Sequence, residues 1–259
     1  MMPARPIAPA GSFDVFGVKL TPLTVDELVG TIRARLSASE PCIVASQNMH
    51  GISVMRRDVE FAALHALPET IVHLDGMPLV ALCRLAGVRA DRRHRVTLVD
   101  LIWPLLRSAE ADGRRVFYLG STPAVVAAAR AAIAARHPRL TIAYRDGYFD
   151  IDDPAANGEV VRAVAAFAPH LVLVGMGMGR QERWIVRHRA QLGACTFVTV
   201  GACLEYVAGA VATPPRWMGS HGLEWLFRLA GSPTRFWRRY LVEPWPVLAY
   251  LAGSVLRRG

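Results

Sequence analysis

The first 210 residues alternate between two patterns of apolar and polar positions. Short, continuous apolar runs have the length of buried strands, and most are followed by a segment with the 3.6-residue repeat of an amphipathic helix. A short strand pair is predicted within 13–19, and further strands are predicted at 42–45, 70–74, 115–119, 140–144, 171–175 and 196–200. Helices are predicted at 24–36, 51–66, 79–86, 98–111, 124–136, 157–167 and 181–189.

This alternation predicts the fold class. Strands that alternate with helices form parallel βαβ units, so we expect an α/β, Rossmann-like, mostly parallel sheet with helices on both faces. Ligands bind such sheets outside the carboxyl ends of the strands. Five predicted strands end in polar or glycine-rich turns, which we expect to gather at one edge of the sheet: 46–48, 75–76, 120–122, 175–177 and 201–202.

The pattern changes after residue 210, where no strand signal remains. Residues 211–259 hold seven arginines, two glutamates and four of the six tryptophans. Basic helices with interleaved aromatic residues are typical of membrane-surface elements. We therefore predict a disordered tail at 1–12, an α/β catalytic domain at 13–210, and a basic helical appendage at 211–259 that docks on an anionic membrane. A nucleic-acid-binding module is the alternative, although no pattern of a known module occurs.

Charge and cysteine content narrow the possible partners and the compartment. The formal net charge is +9, and Lys19 is the single lysine, so the excess is almost entirely arginine. Arginine grips phosphate in two places, which favours nucleic acid, anionic lipid or phosphorylated substrates, but a GC-rich genome would produce the same bias. The four cysteines form no C-x-x-C pair and have no histidine at zinc spacing, which indicates reduced thiols in the cytoplasm.

One carboxylate stands at the end of a predicted strand, in the sequence HLDGMPLV at 73–80. Asp75 either caps the helix that comes next or acts chemically at the ligand edge, with Gly76 leaving room for substrate. Both interpretations use the same residue types, and the local sequence leaves both open.

The turn GSTP at 120–123 opens a helix directly after a strand. Gly120 and the N–H groups after it can hold phosphate at the helix N-terminus. The signal has low specificity, because many turns between a strand and a helix have this sequence pattern.

The segment VGMGMGRQE at 174–182 has the spacing G-x-G-x-G, not the dinucleotide spacing G-x-G-x-x-G. Gly175 and Gly177 still permit close approach of the backbone to a ligand. Gln181 or Glu182 can then hydrogen-bond a sugar or a base. The alternative for Glu182 is a carboxylate favoured by the dipole at a helix N-terminus.

Two further segments hold residue types that can carry chemistry. Thr97 is predicted to cap the helix at 98–111 with Asp100 as its third-position acid, and a second role for Arg95 at the ligand edge stays open. Residues 150–152 match the D-x-D of metal-dependent sugar transferases, but a solvated turn is the stronger interpretation. The histidines show no i, i+4 or H-x-H pair. We therefore infer no metal site and no cofactor.

Together these motifs resemble the WecG/TagA/CpsF glycosyltransferases, in order from about residue 14 to 241. The last segment is the most specific, because its Leu-Glu-Trp, Arg-Leu, Pro-x-Arg and Arg-Tyr pairs fall at the family spacing. The matching segments are SQN (46–48), DGMPLV (75–80), RVT..D (95–100), VFYLGS (116–121), GYF (147–149), VGMGMGRQE (174–182), VGACLEYVAG (200–209) and PPRWMGSHGLEWLFRLAGSPTRFWRRYL (214–241).

The resemblance implies a bacterial enzyme of surface or exopolysaccharide synthesis. Such an enzyme moves a sugar, of the N-acetylmannosamine type or glucose, from a UDP-sugar to a polyprenyl-diphosphate-linked sugar. Inversion at the anomeric carbon without a metal ion is the expected chemistry. The implied location is peripheral, on the cytoplasmic face of the plasma membrane, and a homo-oligomer is left open. A nucleotide-binding protein of another activity, such as a dehydrogenase, is the rival, and the missing G-x-G-x-x-G after the first strand counts against it.

The resemblance also carries residue roles. It implies that Asp75 is the general base, that Ser46 and Asn48 line the site, and that Gln181 belongs to the glycine-rich turn of the site. The appendage arginines implied to meet the lipid diphosphate are Arg228, Arg235 and Arg238. The chain departs from the family pattern at Gly177-Met178-Gly179-Arg180, at Glu205, at Thr213-Pro214-Pro215 and at Ser46, which concerns sugar and nucleotide contacts more than the reaction type.

Overall fold

Two sheets form the frame of the protein in the computed structural model, which describes residues 11–220 and 222–256, without the side chains of residues 216, 220, 235, 255 and 256. Of the predicted tail at 1–12, only the last two positions belong to the described residues. The strands of the described residues are β1 Phe13–Val15, β2 Val18–Leu20, β3 Cys42–Gln47, β4 Thr70–Leu74, β5 Val116–Gly120, β6 Ile142–Arg145, β7 Leu171–Gly175 and β8 Thr196–Thr199.

The larger sheet is parallel throughout, as the alternation of elements predicts. Its six strands lie in the order β4-β3-β8-β7-β5-β6, and every neighbouring pair is parallel. β1 and β2 form a separate antiparallel hairpin, which confirms the strand pair predicted within 13–19. β3, β4, β5, β7 and β8 are buried along their whole length, because helices cover both faces of the sheet.

The helices of the described residues are α1 Val25–Ala38, α2 Met49–Met55, α3 Val59–Ala66, α4 Met77–Leu85, α5 Leu98–Ala111, α6 Pro123–Arg136, α7 Pro154–Phe167, α8 Arg180–His188, α9 Cys203–Val207, α10 Arg216–Ser220, α11 Glu224–Gly231, α12 Pro233–Trp237 and α13 Pro244–Leu256. A 3₁₀ turn at Arg92–His94 precedes α5, and a π-helical turn at Arg238–Val242 joins α12 to α13.

Two apolar layers sandwich the sheet, which confirms helices on both of its faces. α1, α5, α6 and α9 pack on one face, and α3, α7 and α8 pack on the other. Trp184 of α8 is the largest fully buried side chain of the second layer. A third apolar cluster joins the β1–β2 hairpin to α4 and α13 at the β4 side of the sheet.

Polar caps decide where several helices begin. Thr24 and Glu27 form the predicted capping box of α1, and the Thr97 side chain accepts from the Asp100 N–H as predicted for α5. The single helix predicted over 51–66 is wrong. Asp58 interrupts it, because its carboxylate accepts a hydrogen bond from the Phe61 N–H and starts α3 as a new helix.

The appendage is helical, as predicted, and its last helix packs on the domain. Val247 and Leu251 of α13 are buried in the third apolar cluster, beside the hairpin and α4. The guanidinium of Arg56, which comes directly after α2, lies 4.9 Å from the ring centroid of Tyr250. The helices found among the described residues are all too short or too polar to cross a bilayer.

Candidate active site

The five polar or glycine-rich turns lie together at the carboxyl edge of the sheet, as predicted. They come after β4, β3, β8, β7 and β5, which are consecutive in the strand order. The backbones at this edge are tightly packed: a Cβ on Gly120 would clash with Gly175, and a Cβ on Gly175 would clash with the Tyr118 hydroxyl. Glycine is therefore needed at both positions for packing, and a ligand role for Gly120, Gly175 or Gly177 remains a prediction.

Asp75 comes directly after β4, and its carboxylate is free of a capping role. The residue at the N-cap of α4 is Gly76, with a φ of 118° and no side-chain cap hydrogen bond. The capping interpretation of Asp75 is therefore wrong. Its backbone N–H donates to the Gln47 carbonyl at 2.8 Å, and its Oδ2 accepts from Asn48 Nδ2 at 3.1 Å. The carboxylate is partly exposed at the ligand edge.

Asn48 connects this carboxylate to α2. Its Oδ1 accepts from the Gly51 N–H at 2.9 Å and caps the helix, so that its amide group is left to donate to Asp75. One side chain therefore fixes both the helix start and the orientation of Asp75. Ser46 lies inside β3, with 3% of its surface exposed, and its N–H donates to Thr199 Oγ1. The turn thus begins after Gln47, and a substrate contact by Ser46 remains a prediction.

The appendage brings two arginines towards Asp75. Arg228 of α11 lies over the Tyr206 ring, with 5.9 Å between the guanidinium carbon and the ring centroid. Burial lowers the pKa of Arg228, but attraction to Tyr206 and Asp75 outweighs it, and the net direction is upward. Burial lowers the pKa of Arg239, and the charges of Tyr240 and Asp75 oppose this decrease. Sequence reasoning missed Tyr206 and Arg239.

The other two arginines of the predicted set are placed differently. Arg238 is exposed in the π-helical turn, and the side chain of Arg235 lies outside the described residues. α11 ends at Gly231 and the next helix begins at Pro233, so Arg228 and Arg238 lie on different elements. A contact of Arg228, Arg235 and Arg238 with a lipid diphosphate remains a prediction.

Arg95 ties the α/β domain to the appendage. Its Nη1 lies 3.1 Å from both carboxylate oxygens of Glu224 in α11, and its Nη2 lies 3.8 Å from Asp100 Oδ2. A Cβ on Gly222 would lie 3.3 Å from Cβ of Met77, so the α10–α11 loop rests on the start of α4. The appendage therefore covers one side of the edge that carries Asp75.

Gln181 and Glu182 face the interior of the protein. Glu182 is fully buried, accepts from the Gly179 N–H and closes a capping box at the start of α8. Gln181 Nε2 donates to Glu182 Oε1 at 2.8 Å, and Gln181 Oε1 accepts from the Gly201 N–H at 3.0 Å. These hydrogen bonds occupy both side chains and hold two turns of the edge together. The place of Glu182 in the first turn of α8 confirms the alternative of a carboxylate at a helix N-terminus, and a sugar or base contact by Gln181 remains a prediction.

The buried Glu182 carboxyl predicts a pH-dependent stability. Burial raises its pKa from an ordinary 4.5 to about 7. Between these values the folded protein holds a proton that the unfolded chain has released, so the free energy of unfolding falls as the pH rises. In Glu182→Gln, which cannot titrate, we expect this decrease in the free energy of unfolding, on the order of 3 kcal/mol, to be absent. Urea titrations from pH 4.5 to 7.5 measure it, and parallel curves for the two proteins would contradict the prediction.

The D-x-D segment forms a structural turn. Asp150 Oδ1 accepts from the Asp152 N–H at 2.9 Å, and Asp152 lies 2.6 Å from Arg187 Nη1. Arg187 also pairs with Glu60 at 2.8 Å, so the acid belongs to an ion-pair network on the surface. Within the described ranges, no three or more His, Cys, Asp or Glu side chains converge in a way that would hold a metal ion.

Comparison with known proteins adds the chemical class. The family model described as "Glycosyl transferase WecG/TagA/CpsF family" matches residues 13–259. A protein of Staphylococcus aureus strain MW2 is 28% identical over 252 residues, which cover 95% of this chain and 93% of that protein. A protein of strain NCTC 8325 / PS 47 is 28% identical over 222 residues, 83% of each chain. Both relatives are named N-acetylglucosaminyldiphosphoundecaprenol N-acetyl-beta-D-mannosaminyltransferase.

Proposed function

This chain belongs to the WecG/TagA/CpsF glycosyl transferase family, and from that premise we propose that it moves a sugar from a UDP-sugar to a polyprenyl-diphosphate-linked sugar. The transfer inverts the anomeric carbon and needs no metal ion. The names of the relatives support an acceptor of the N-acetylglucosaminyl-diphosphoundecaprenol class and an N-acetylmannosamine-type donor, and glucose is the second donor to be tested.

One observation carries the mechanism: Asp75 is a partly exposed carboxylate at the carboxyl edge, oriented by Asn48 and unused as a cap. In the transfer, an acceptor hydroxyl oxygen attacks the anomeric carbon and forms the new C–O bond. The bond from that carbon to the UDP oxygen breaks, and its electron pair leaves with UDP. Asp75 takes the hydroxyl proton as the attack proceeds, which makes it the general base.

The leaving UDP gains negative charge that the site must stabilise. Backbone N–H groups of the edge turns and the Arg228 guanidinium are the groups available for this purpose. Arg228 supports the proposal because it belongs to the appendage, lies over the Tyr206 ring and interacts electrostatically with Asp75. The appendage would thus bring a cation to a diphosphate.

The proposed location is peripheral, on the cytoplasmic face of the bacterial plasma membrane. Large apolar side chains of the appendage are exposed, including Trp217, Trp237 and Trp245. Such side chains next to arginines suit the interface of an anionic bilayer. The alternative is that this apolar surface forms the interface of a homo-oligomer.

The first experiment measures UDP release from a panel of UDP-sugars, with a polyprenyl-diphosphate-linked N-acetylglucosamine in detergent. Acceptor-dependent release in the presence of EDTA would support the donor, the acceptor and the metal independence together. Release that EDTA abolishes would overturn the metal independence alone. If no donor yields UDP, calorimetry with UDP tells a wrong acceptor from a wrong donor class.

The dual role of Asn48 gives a second prediction. Asn48→Ser keeps a cap for α2, because serine is a good N-cap residue, but removes the amide that donates to Asp75. We expect turnover to fall about tenfold, the loss of one charge-assisted hydrogen bond, with the melting temperature nearly unchanged. Asn48→Ala, which removes both interactions, should also lower the melting temperature. Equal turnover in Asn48→Ser and the unmodified protein would exclude this positioning role.

A further inference from the structure

Gly51 lies inside the first turn of α2 and is buried there. Glycine destabilises a helix relative to alanine, because it gives up more conformational freedom on folding. A left-handed backbone conformation often requires glycine, but Gly51 has the right-handed conformation of the helix. The reason for glycine at this position must therefore be the space around it.

The side chain of Gln47 occupies that space. Gln47 is the last residue of β3, and none of its surface is exposed. A Cβ on Gly51 would clash with Gln47 Oε1 and would lie 3.3 Å from Met178 Sδ. Methionine is flexible and can yield, whereas Gln47 is enclosed beneath the helix. Gln47 and Gly51 therefore interlock, and their contact fixes how closely α2 approaches the end of β3.

Hydrogen bonds hold the Gln47 side chain along the underside of α2. Its Oε1 accepts from the Asn48 N–H at 3.2 Å, where the helix begins, and its Nε2 donates to Met55 Sδ at 3.9 Å, where the helix ends. The side chain thus reaches from one end of this seven-residue helix to the other. A helix of this length is unstable alone and takes its position from the groups on which it packs.

The same residue connects α2 to Asp75. The Gln47 carbonyl accepts from the Asp75 N–H at 2.8 Å, and Asn48 Nδ2 donates to Asp75 Oδ2 at 3.1 Å. The backbone of Gln47 therefore holds the main chain of the proposed base. Its side chain sets the helix whose cap, Asn48, orients the carboxylate of that base.

Stability alone does not account for an amide beneath α2. A thioether sulfur is a weak acceptor, so Met55 compensates poorly for the burial of the Gln47 amide group. An apolar side chain of the same shape can be as favourable for stability or more so. The amide oxygen, however, both holds the Asn48 N–H and fills the space beside Gly51, so its contribution is to place the helix.

We propose that Gln47 is a positioning residue for sugar transfer: it sets α2 at the distance from β3 at which Asn48 can orient Asp75. This gives a role to the middle residue of the segment SQN, between Ser46 and Asn48. The inference rests on the proposed function, because the orientation of Asp75 affects a rate only if Asp75 takes part in the reaction.

Gly51→Ala tests the interlock by adding one methyl group. We expect a lower melting temperature and about tenfold lower turnover at saturating donor and acceptor, because the helix that carries Asn48 has to move away from Asp75. Gly30→Ala is the matched control, since Gly30 lies inside α1 and a Cβ there would meet nothing within 4 Å. It should keep full turnover and melt at the same or a slightly higher temperature.

A second substitution tests whether Gln47 is the partner in the clash. Gln47→Ala vacates the space beside Gly51, so the double variant with Gly51→Ala should melt no lower than Gln47→Ala alone. This measurement is independent of activity. Melting temperatures that fall by the sum of the two single effects would overturn the interlock, as would a Gly51→Ala protein that melts like the unmodified one.

The Asn48→Ser background separates positioning from a structural role. Gly51→Ala should change turnover less than twofold there, because the link from Asn48 to Asp75 is already lost. A tenfold loss in both backgrounds, or no loss in either, would overturn the positioning role of Gln47. If the unmodified protein transfers no sugar, the proposed function fails and the positioning role fails with it, whereas the melting temperatures still decide whether Gln47 and Gly51 interlock.

Discussion

Asp75→Asn will lower sugar-transfer turnover by about 10²–10⁴-fold, the contribution that a well-placed general base makes to a reaction. Asparagine has almost the same shape, and its side-chain oxygen can still accept the hydrogen bond from Asn48. It cannot take a proton from the acceptor hydroxyl, however, so the nucleophile has to attack without deprotonation. Binding of UDP should remain within about threefold, because the change leaves the turns and the arginines in place.

Single-turnover assays at saturating donor and acceptor measure this effect separately from binding. Asp150→Asn is the matched control: it also removes one carboxylate, but its side-chain oxygen can still accept from the Asp152 N–H in the surface turn. Because Asp150 belongs to the D-x-D segment, a fall in turnover in Asp150→Asn would indicate a metal-binding role for this segment. Near-full turnover in Asp75→Asn, with the protein folded and UDP bound, would exclude Asp75 as the base.

The expected size of this effect depends on how Asp75 is held. A base on a mobile loop would lose rate through poor orientation, whereas Asp75 comes directly after a buried strand and its N–H is bound to Gln47. Asn48 fixes the carboxylate from the neighbouring strand end. Loss of the carboxylate should therefore cost more than loss of Asn48, whose amide only orients it.

The sheet was predictable because its strands are short apolar runs separated by polar turns. Because helices cover both faces of the sheet, the strands at 70–74 and 171–175 are apolar at nearly every position. Because the strands are parallel, the turns that follow them lie at one edge of the sheet. Whether Asp75 caps the next helix was not predictable. The answer depends on Gly76 taking the N-cap position with a positive φ, and the residue types of this segment suit a cap as well as a base.

The roles of the appendage arginines were beyond sequence reasoning for a different reason. Helical spacing assigns faces correctly only in an uninterrupted α-helix. The break at Pro233 and the π-helical turn after Trp237 shift that spacing, so the inward arginine is Arg239 and not Arg238. For Gln181 and Glu182 the alternatives likewise stayed open, since the sequence of a turn does not tell whether a polar side chain faces a ligand or a neighbouring turn of the sheet edge.

Around the π-helical turn, a stripe of large apolar side chains lies on the outer side of the appendage. Trp237, Leu241, Trp245 and Leu248 are all exposed, at spacings of four, four and three residues. Trp245 Nε1 donates to the Leu241 carbonyl at 3.0 Å, so these two residues adjoin. In α13, Trp245 lies two residues from the buried Val247, which places the two side chains on nearly opposite sides of the helix. One side of α13 is thus anchored in the protein while the other faces outward.

Trp245→Ser with Leu248→Ser will lower the affinity for anionic vesicles on the order of 100-fold or more. Each large apolar side chain contributes about 1.5–3 kcal/mol when it leaves water, and each tenfold in affinity is about 1.4 kcal/mol. Whole-segment removal would be a poorer test, because it would also expose the cluster into which Val247 and Leu251 pack. Sedimentation with phosphatidylglycerol vesicles measures the loss.

The matched control replaces Val59 and Leu85 with serine, since these side chains lie on the surface of the α/β domain and are 84% and 76% exposed. It should leave vesicle binding unchanged. Turnover should separate the two proposed functions of the appendage: the stripe variant should keep near-normal rates on a short-chain acceptor in detergent, where no surface is needed, and lose rate on a long-chain acceptor in vesicles. Equal losses in both assays would mean that the stripe supports the fold of the active site, and unchanged vesicle binding would place the membrane contact elsewhere on the protein.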